Sequence, residues 1–485
     1  MTHTQIAVIG AGPGGYAAAF LAAGRGMQTT LIDAEAAPGG VCLHRGCIPS
    51  KALLHAVKLL TETREAEKIG LHFAPPRIDL ERLRGWKEEV VQRLTNGLAQ
   101  QCRARGVTWL QGTARFLNST TLELRRPDQE PQPITFDKAI IATGSRPAAI
   151  PGVAMDLPGV MDSSQALRLD AIPASLLVIG GGNIGLELGT VYAALGTRVW
   201  VVEAGPGILP GLDRDLVRPV AARLGKIMAG VTVNARIVAL TPNGTGLEVV
   251  VADGEGRETT HEVERVLVAA GREVVSHGLG LENTRVTRNA RGEIQVSAGM
   301  MTEDPAILAI GDVTGGPMLA HRAAMQARFA VASLAGYPPP HRQPIIPAVT
   351  YTDPELAWAG LLEAEARAKG IETRAVRFPW AASGRAHTLE RTDGVTKLVL
   401  DPSSGAILGV GITGPGAGEL IAAAVVAMEK GATAQDLAHM VHPHPTLSET
   451  FAEAADLFLG HCVHYHAPAR GAPPLGNVQR PLVSR

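Results

Sequence analysis

The sequence predicts an α/β chain: two doubly wound parallel sheets, each with a nucleotide site, and an α+β unit after them. Three observations carry that prediction. The apolar strand Ile6-Ala7-Val8-Ile9 runs into Gly10, Gly12 and Gly15, a helix of small residues follows from Tyr16 to Gly24, and a second strand ends at Asp33. The same parts return 170 residues later: Leu176-Leu177-Val178-Ile179, then Gly180, Gly182 and Gly185, a helix through Ala194, and Val199-Trp200-Val201-Val202 ending at Glu203. From Ile345 to about Gly460 the chain mixes β runs (Lys397 to Leu400, Ile407 to Val410) with helices (Gly418 to Lys430, Ser448 to Leu459) and has no third fingerprint.

In such a strand-glycine-helix turn the first glycine permits the tight bend and the second lets a pyrophosphate approach the backbone. The third packs helix on sheet, and the acid ending the next strand accepts ribose hydroxyls. Both stretches are therefore read as Rossmann-like dinucleotide-binding domains, and their recurrence at one offset argues for duplication. Glu203 favours NAD at the second, because a carboxylate there bonds the ribose diol and repels the 2′-phosphate of NADP. Matching strands then run into glycine, Lys138 to Gly144 in the first half and Arg265 to Gly271 in the second. A further strand, Ile307 to Ile310, ends in Gly311-Asp312, where Asp312 is either a turn residue or a carboxylate returning to a cofactor's sugar chain. Proline-rich punctuation at Pro147 to Pro158 and Tyr337 to Pro340 divides the chain. Residues 1–150 with 277–344 are expected to form the first domain, 151–276 the second and 345–460 the third, with 461–485 expected to be a mobile tail.

At 485 residues, with 46% hydrophobic and 19% charged residues and a net charge of -1, the chain is globular and sized for several domains. Near-neutral charge gives no electrostatic reason to expect nucleic acid or an anionic membrane, and no apolar run approaches the ~20 residues that span a bilayer. The first residues lack the basic region of a signal peptide, so a cytoplasmic protein is expected. Only four cysteines occur, and Cys102 and Cys462 have no close partner in sequence, so nothing resembles a secreted disulfide framework. Two of them, Cys42 and Cys47, lie in Gly39-Gly40-Val41-Cys42-Leu43-His44-Arg45-Gly46-Cys47-Ile48-Pro49-Ser50-Lys51, just behind the first fingerprint. Gly46 permits a tight turn and Pro49 suits the first turn of a helix, which puts Cys47 at a helix start where a thiolate is favoured. That spacing suggests a redox disulfide; two buried thiols or half of a zinc site are the alternatives.

His442-Pro443-His444-Pro445-Thr446-Leu447-Ser448-Glu449 is the second chemically loaded stretch. Thr446 and Glu449 fit a capping box opening a helix with the apolar stripe Leu447, Phe451, Ala454 and Phe458. A histidine on rigid backbone with a carboxylate five residues on is equally how a general base is built, and the pattern alone does not choose. The cluster His461, Cys462, His464 and His466 invites a metal reading, but Cys462 falls on the apolar end of that helix and no metal site is expected.

These segments resemble the flavin-dependent pyridine nucleotide-disulfide oxidoreductases, class I, and within them the branch that oxidises dihydrolipoamide. The likeness spans about residues 5 to 460. Its most specific motifs are GGVCLHRGCIPSK at Gly39 to Lys51, AIGDVTGGPMLAHRA at Ala309 to Ala323, YTDPELAWAGL at Tyr351 to Leu361 and VHPHPTLSE at Val441 to Glu449. The resemblance implies FAD on the first domain, held by Gly10, Gly12, Gly14, Gly15, Asp33, Gly40, Val41, Lys51, Gly112, Thr143, Gly144, Ser145, Asp312, Met318, Leu319, Ala320 and His321. It implies NAD on the second, at Gly180, Gly182, Asn183, Ile184, Gly185, Glu187, Glu203, Ile237 and Gly271, with Lys51 and Glu187 as an ion pair beside the flavin.

Cys42 would exchange with substrate, Cys47 would lie next to the isoalloxazine ring, and His444 with Glu449 of the partner subunit would accept and return thiol protons. A homodimer follows, with residues 345–460 as its interface domain. The implied substrate is a dihydrolipoyl group on a carrier protein or on the acyltransferase component of a multienzyme complex. The alternative is an NAD(P)H-dependent reductase of another small disulfide, and a non-catalytic docking flavoprotein would not need both thiols and the histidine. Asn183 and Glu273-Val274 depart from the family pattern, in positions that bear on NAD binding.

Overall fold

The computed structural model describes residues 2–244, 246–339 and 341–466. They form two units, Met1–Gly207 with Met228–Gln343, and Ile208–Ile227 with the chain from Pro344 onward.

In the first unit a parallel sheet is ordered Thr108–Gln111, Thr29–Asp33, Thr2–Ile9, Gln132–Ile141, with Ile307–Ala309 beside the far end of the last strand. Its central stretches, Ile6 to Ile9, Thr29 to Ile32 and Ala139 to Ile141, are buried on both faces, as expected inside a covered parallel sheet, while the edge strand Thr108–Gln111 has no buried residue. Alternate residues serve alternate faces. Ile6, Val8, Leu31 and Ile140 pack with Ala18, Ala19 and Ala22 of helix Pro13–Ala23 and with Ala327, Ala330 and Val331 of helix Ala320–Leu334. Ala7, Ile9, Ile32 and Ile141 pack on the other face, with Phe116, Leu122 and Phe136. The antiparallel strands Thr113–Asn118 and Thr121–Arg125 extend this sheet, an insertion the fingerprint does not announce.

A second parallel sheet in the same unit is ordered Gly230–Thr232, Arg198–Val202, Ser175–Ile179, Arg265–Val268, Val160–Asp162. Beside it lies an antiparallel meander, Arg236–Asn243, Gly246–Ala252 and Glu258–Val263. The strands Ser145–Pro147 and Arg272–Val274 pair antiparallel, so the segments closing the two halves are hydrogen-bonded to each other.

The second unit is a five-stranded antiparallel sheet in the order Ala348–Thr350, Leu356–Gly360, Ile407–Thr413, Val395–Leu400, Arg374–Pro379, packed with helices Ala417–Glu429 and Glu449–Leu459. Helix Arg214–Ile227 belongs to this unit rather than to the nucleotide sheet that brackets it in sequence. Thr413 Oγ1 donates to the Leu216 carbonyl at 2.7 Å. Lys397, 1% exposed, places Nζ 2.7 Å from Asp213, 2.9 Å from Asp215 and 2.8 Å from Glu363. A buried ammonium is tolerated only with such partners. Burial alone would raise the Asp215 carboxyl; hydrogen bonds from Lys397 and Arg377 and their charges hold it below its ordinary value.

Of the stretch read as a tail, 461–466 is tied down here. His461 N donates to Asp456 O at 2.8 Å, Cys462 and His464 both contact Glu453, and the Tyr465 ring meets Phe378 edge-on. Residues 467–485 lie outside the described residues. No helix among the described residues is long and apolar enough to cross a membrane, and no group of three side chains there could hold a metal ion.

Candidate active site

The two fingerprints repeat in hydrogen-bonding detail. Gly10 N donates to Ile32 O and Gly180 N to Val202 O, both at 2.8 Å, which fixes each turn to the neighbouring strand. Gly10 and Gly180 have φ of +98° and +113°, and a Cβ on either would run into the carbonyl of Ala142 or Ala269, so only glycine serves. Asp33 accepts from the amides of Ala11 (2.5 Å) and Glu35 (2.9 Å); Glu203 accepts from Gly181 (2.7 Å) and Gly205 (2.6 Å). Each carboxylate still has acceptor capacity for a ribose diol, since an ionised carboxylate offers about four lone-pair sites.

Helices Pro13–Ala23 and Asn183–Leu195 begin directly after Gly12 and Gly182, whose residues cap by backbone alone. The first-turn amides and the dipole of such a helix start suit a pyrophosphate. A Cβ at Gly182 would meet open space, and one at Gly12 would meet only Gly40 Cα at 3.9 Å. These cradles fit two dinucleotides. Gly14 instead faces Ala323 and Ile310, where it lets helix Pro13–Ala23 approach helix Ala320–Leu334.

Cys42 and Cys47 form a disulfide with Cα atoms 4.7 Å apart. Cys42 lies in the short helix Gly40–Arg45, and Cys47 is the first residue of helix Cys47–Glu65. A Cβ on Gly40 would strike Gly12, so the redox segment is seated directly on the first fingerprint. One turn into the Cys47 helix, Lys51 Nζ lies 2.8 Å from Glu187 Oε2, which also accepts from Ser50 Oγ at 3.0 Å. Glu187 is buried in the helix after the second fingerprint, so this cluster links the redox helix to both nucleotide cradles. Ser50 was not anticipated; its place next to the lysine is the only signal the sequence offers.

Further on, Gly112 N donates to Asp33 O at 2.7 Å, Thr143 Oγ1 donates to Val275 O at 2.6 Å, and Gly144 O accepts from Val275 N. Ser145 Oγ donates to Asp312 Oδ2 at 2.5 Å and accepts from Arg272 Nε at 2.8 Å, while Arg272 Nη2 reaches Ser145 O at 2.7 Å. Asp312 is thus a hydrogen-bonded carboxylate at the sheet's carboxyl end, more than a turn residue. Burial lowers the Arg272 guanidinium, with the Asp312 charge opposing. Arg272 is a second residue sequence reasoning missed. Gly271 accepts from Ala148 N, Leu319 caps helix Ala320–Leu334, and Ile237 packs partly buried on the second domain's core. Glu273 pairs with Arg146 on the surface at 2.5 Å.

In the second unit His444 Nδ1 bonds Glu449 Oε1 at 2.8 Å, while Glu449 Oε2 accepts from Thr446 N at 2.7 Å. The carboxylate therefore serves both expected roles, one oxygen for each. The capping box is only half formed, because the Thr446 hydroxyl donates to Pro443 O and the helix begins at Glu449. Burial would raise the Glu449 carboxyl; the Thr446 amide and then His444 hold it below its ordinary value. The His444 ring is 77% exposed, with Nδ1 turned to the carboxylate, which leaves Nε2 as the basic atom of the matching tautomer.

Residues 4–327 match the family described as pyridine nucleotide-disulphide oxidoreductase, and residues 346–455 match its dimerisation domain. The dihydrolipoyl dehydrogenase of Haemophilus influenzae is 41% identical over 457 residues, 94% of this chain and 95% of its own. That of Halobacterium salinarum is 41% identical over 465 residues, 96% and 98% of the two chains. Among solved structures, LpdA from Mycobacterium tuberculosis superposes with a TM-score of 0.86 at 29% identity, covering 94% of this chain and 99% of that one. The HOCl-induced flavoprotein disulfide reductase RclA from Escherichia coli, as a Cu(II) complex, gives 0.85 at 28%, covering 94% and 100%.

Proposed function

The chain belongs to the pyridine nucleotide-disulphide oxidoreductase family, with that family's dimerisation domain, and on this premise we propose that it oxidises a carrier-bound dihydrolipoyl group with NAD through the Cys42–Cys47 disulfide. It is a flavoprotein disulfide oxidoreductase of the dihydrolipoyl dehydrogenase type, with FAD and NAD as cofactors, and it forms a homodimer. The observation that carries the assignment is the disulfide itself, closed at the start of a helix and seated on the first fingerprint.

The residues fit both cofactors. FAD is assigned to the first cradle, with Gly10, Gly12, Gly15, Asp33, Lys51 and Asp312. NAD is assigned to the second, with Gly180, Gly182, Gly185 and Glu203. When bound, FAD supplies the two-electron carrier between the dithiol and NAD.

The chain's own residues handle sulfur and protons. His444 Nε2 of the partner subunit takes the proton of one substrate thiol, and the resulting thiolate attacks the outer sulfur, Cys42, breaking the S–S bond and leaving Cys47 as a thiolate stabilised by the helix start. The second substrate thiol, whose proton replaces the one that the same histidine passes to the departing Cys42 sulfur, then displaces Cys42 to close the lipoyl disulfide. Imidazole is matched to that task near neutral pH, where a free thiol of pKa about 8.5 is mostly protonated. Glu449 fixes the ring's tautomer and stabilises its cation. The balance is dihydrolipoamide plus NAD⁺ giving lipoamide, NADH and one proton. A lipoyl-bearing carrier, or the acyltransferase of a multienzyme complex, is the proposed partner, and the cytoplasm the proposed location.

The test mixes the purified yellow protein with dihydrolipoamide and NAD and follows NADH. Rapid turnover is expected. No turnover, with flavin bound and the disulfide reducible, would move the substrate to another small disulfide.

A further inference from the structure

We propose that His44 and Arg45, the pair just before Gly46 and Cys47, are positioning residues that hold the reduced cysteines together and so favour reclosure of the disulfide. The inference rests on the reading of Cys42–Cys47 as the redox pair. Helix Gly40–Arg45 has only six residues, too few to be stable on its own, and it ends at Gly46, whose φ and ψ of -145° and -112° are neither helical nor extended. While the S–S bond exists, it fixes the spacing of the two ends. Once it is reduced, other contacts must do so.

At the start of the segment those contacts are backbone. Gly39 N donates to Ala11 O at 2.9 Å, and Gly40 is held against Gly12. Toward the end, beyond the buried Leu43, they include the two side chains. Arg45 Nη2 pairs with Glu35 at 2.5 Å, and the His44 ring contacts the Ala37 carbonyl at 3.1 Å through Nε2. Both partners lie in the segment after Asp33, and Glu35 N itself donates to Asp33 Oδ1. The last turn of the short helix is therefore strapped to the segment that begins at the first cradle's carboxylate. A dithiol kept in bonding geometry has a high effective concentration, and loosening it makes the disulfide easier to reduce.

Arg45 could instead act as a charge that stabilises the Cys47 thiolate. The two roles have opposite signs. Losing a strap moves the equilibrium toward dithiol; losing a thiolate-stabilising cation moves it toward disulfide.

The experiment equilibrates flavin-loaded protein against mixtures of dithiothreitol and its cyclic disulfide, which donates or accepts the two electrons and two protons, and counts free thiols by acid quench and alkylation mass shift. His44→Ala/Arg45→Met is expected to shift the equilibrium about tenfold toward dithiol, about 30 mV. Arg45→Lys should recover part of the Arg45 share. Glu35→Ala, which leaves the redox segment's own sequence intact, should shift in the same direction by less. No shift in the folded yellow variants, or a shift toward disulfide, overturns the inference while leaving the redox pair standing. A native pair that no mixture reduces overturns this inference and the proposed function together.

Discussion

Glu449→Gln isolates what the carboxylate does for His444. Its two oxygens accept from two different donors, the ring Nδ1 and the Thr446 amide, at 2.8 and 2.7 Å. A glutamine has one acceptor oxygen, so its NH₂ must face one of those groups. If it faces the ring, Nδ1 becomes the acceptor and the proton moves to Nε2, the atom proposed to take the thiol proton. If it faces Thr446, the ring keeps its tautomer but loses the anion that stabilises its cation. A charge-assisted hydrogen bond contributes about 1.5–3 kcal/mol, which is about 10- to 150-fold in rate. The expected loss falls within that range. His444→Gln removes the base outright and should cost about 10²–10⁴-fold. The assay is NADH formation from dihydrolipoamide, with flavin content and thermal unfolding as controls for folding. If Glu449 acts only through the ring, Glu449→Gln adds nothing in the His444→Gln background. A further loss there, or full activity in His444→Gln, would refute the reasoning.

Three other outcomes are expected. Lys397→Met strands Asp213 and should destabilise the protein by about 3–5 kcal/mol in denaturant titration, with Asp213→Asn in the same chain recovering part of the loss. Asp215 is held below its ordinary value when folded, so its stabilisation is complete above the unfolded value of about 3.9 and is lost as pH falls through the lower folded value. An acid titration followed by circular dichroism should show Asp215→Asn losing less stability than the native protein between neutral pH and the acid limit. Glu203→Gln leaves one of the Gly181 and Gly205 amides facing an NH₂ and removes the charge opposed to a 2′-phosphate; NAD affinity measured by calorimetry should fall about tenfold while discrimination against NADP narrows.

The duplicated fingerprint was legible because it depends on backbone constraints that few residue types satisfy. Gly10 and Gly180 need positive φ and leave no room for a Cβ, and Asp33 and Glu203 end strands where two amides converge. The redox disulfide was legible from short spacing, since its cysteines lie five residues apart, whereas the equally close His444 and Glu449 were legible only as a base or a cap until the family resemblance chose between them. The undeclared parts join residues distant in sequence. Arg272 reaches Ser145 across 127 positions and Lys397 reaches Asp213 across 184, through side chains whose types are common on any surface. Helix Arg214–Ile227 belongs with the C-terminal sheet because Leu216, Asp213 and Asp215 meet Thr413 and Lys397, and nothing in its own amphipathic pattern names that partner.

The two cradles also differ in a way that bears on their division of labour. Gly12 has the redox segment in front of it, close enough that a side chain on Gly40 would strike the Gly12 backbone. Gly182 has nothing within 4 Å of the equivalent point. The same backbone device is thus closed over by the chain in the first half and left open in the second. A carrier that shuttles electrons from a fixed disulfide has to remain beside it, whereas an acceptor that leaves with the electrons has to enter and depart on every turnover. The enclosure of the first cradle and the openness of the second favour retained FAD at Asp33 and exchanging NAD at Glu203, rather than the reverse.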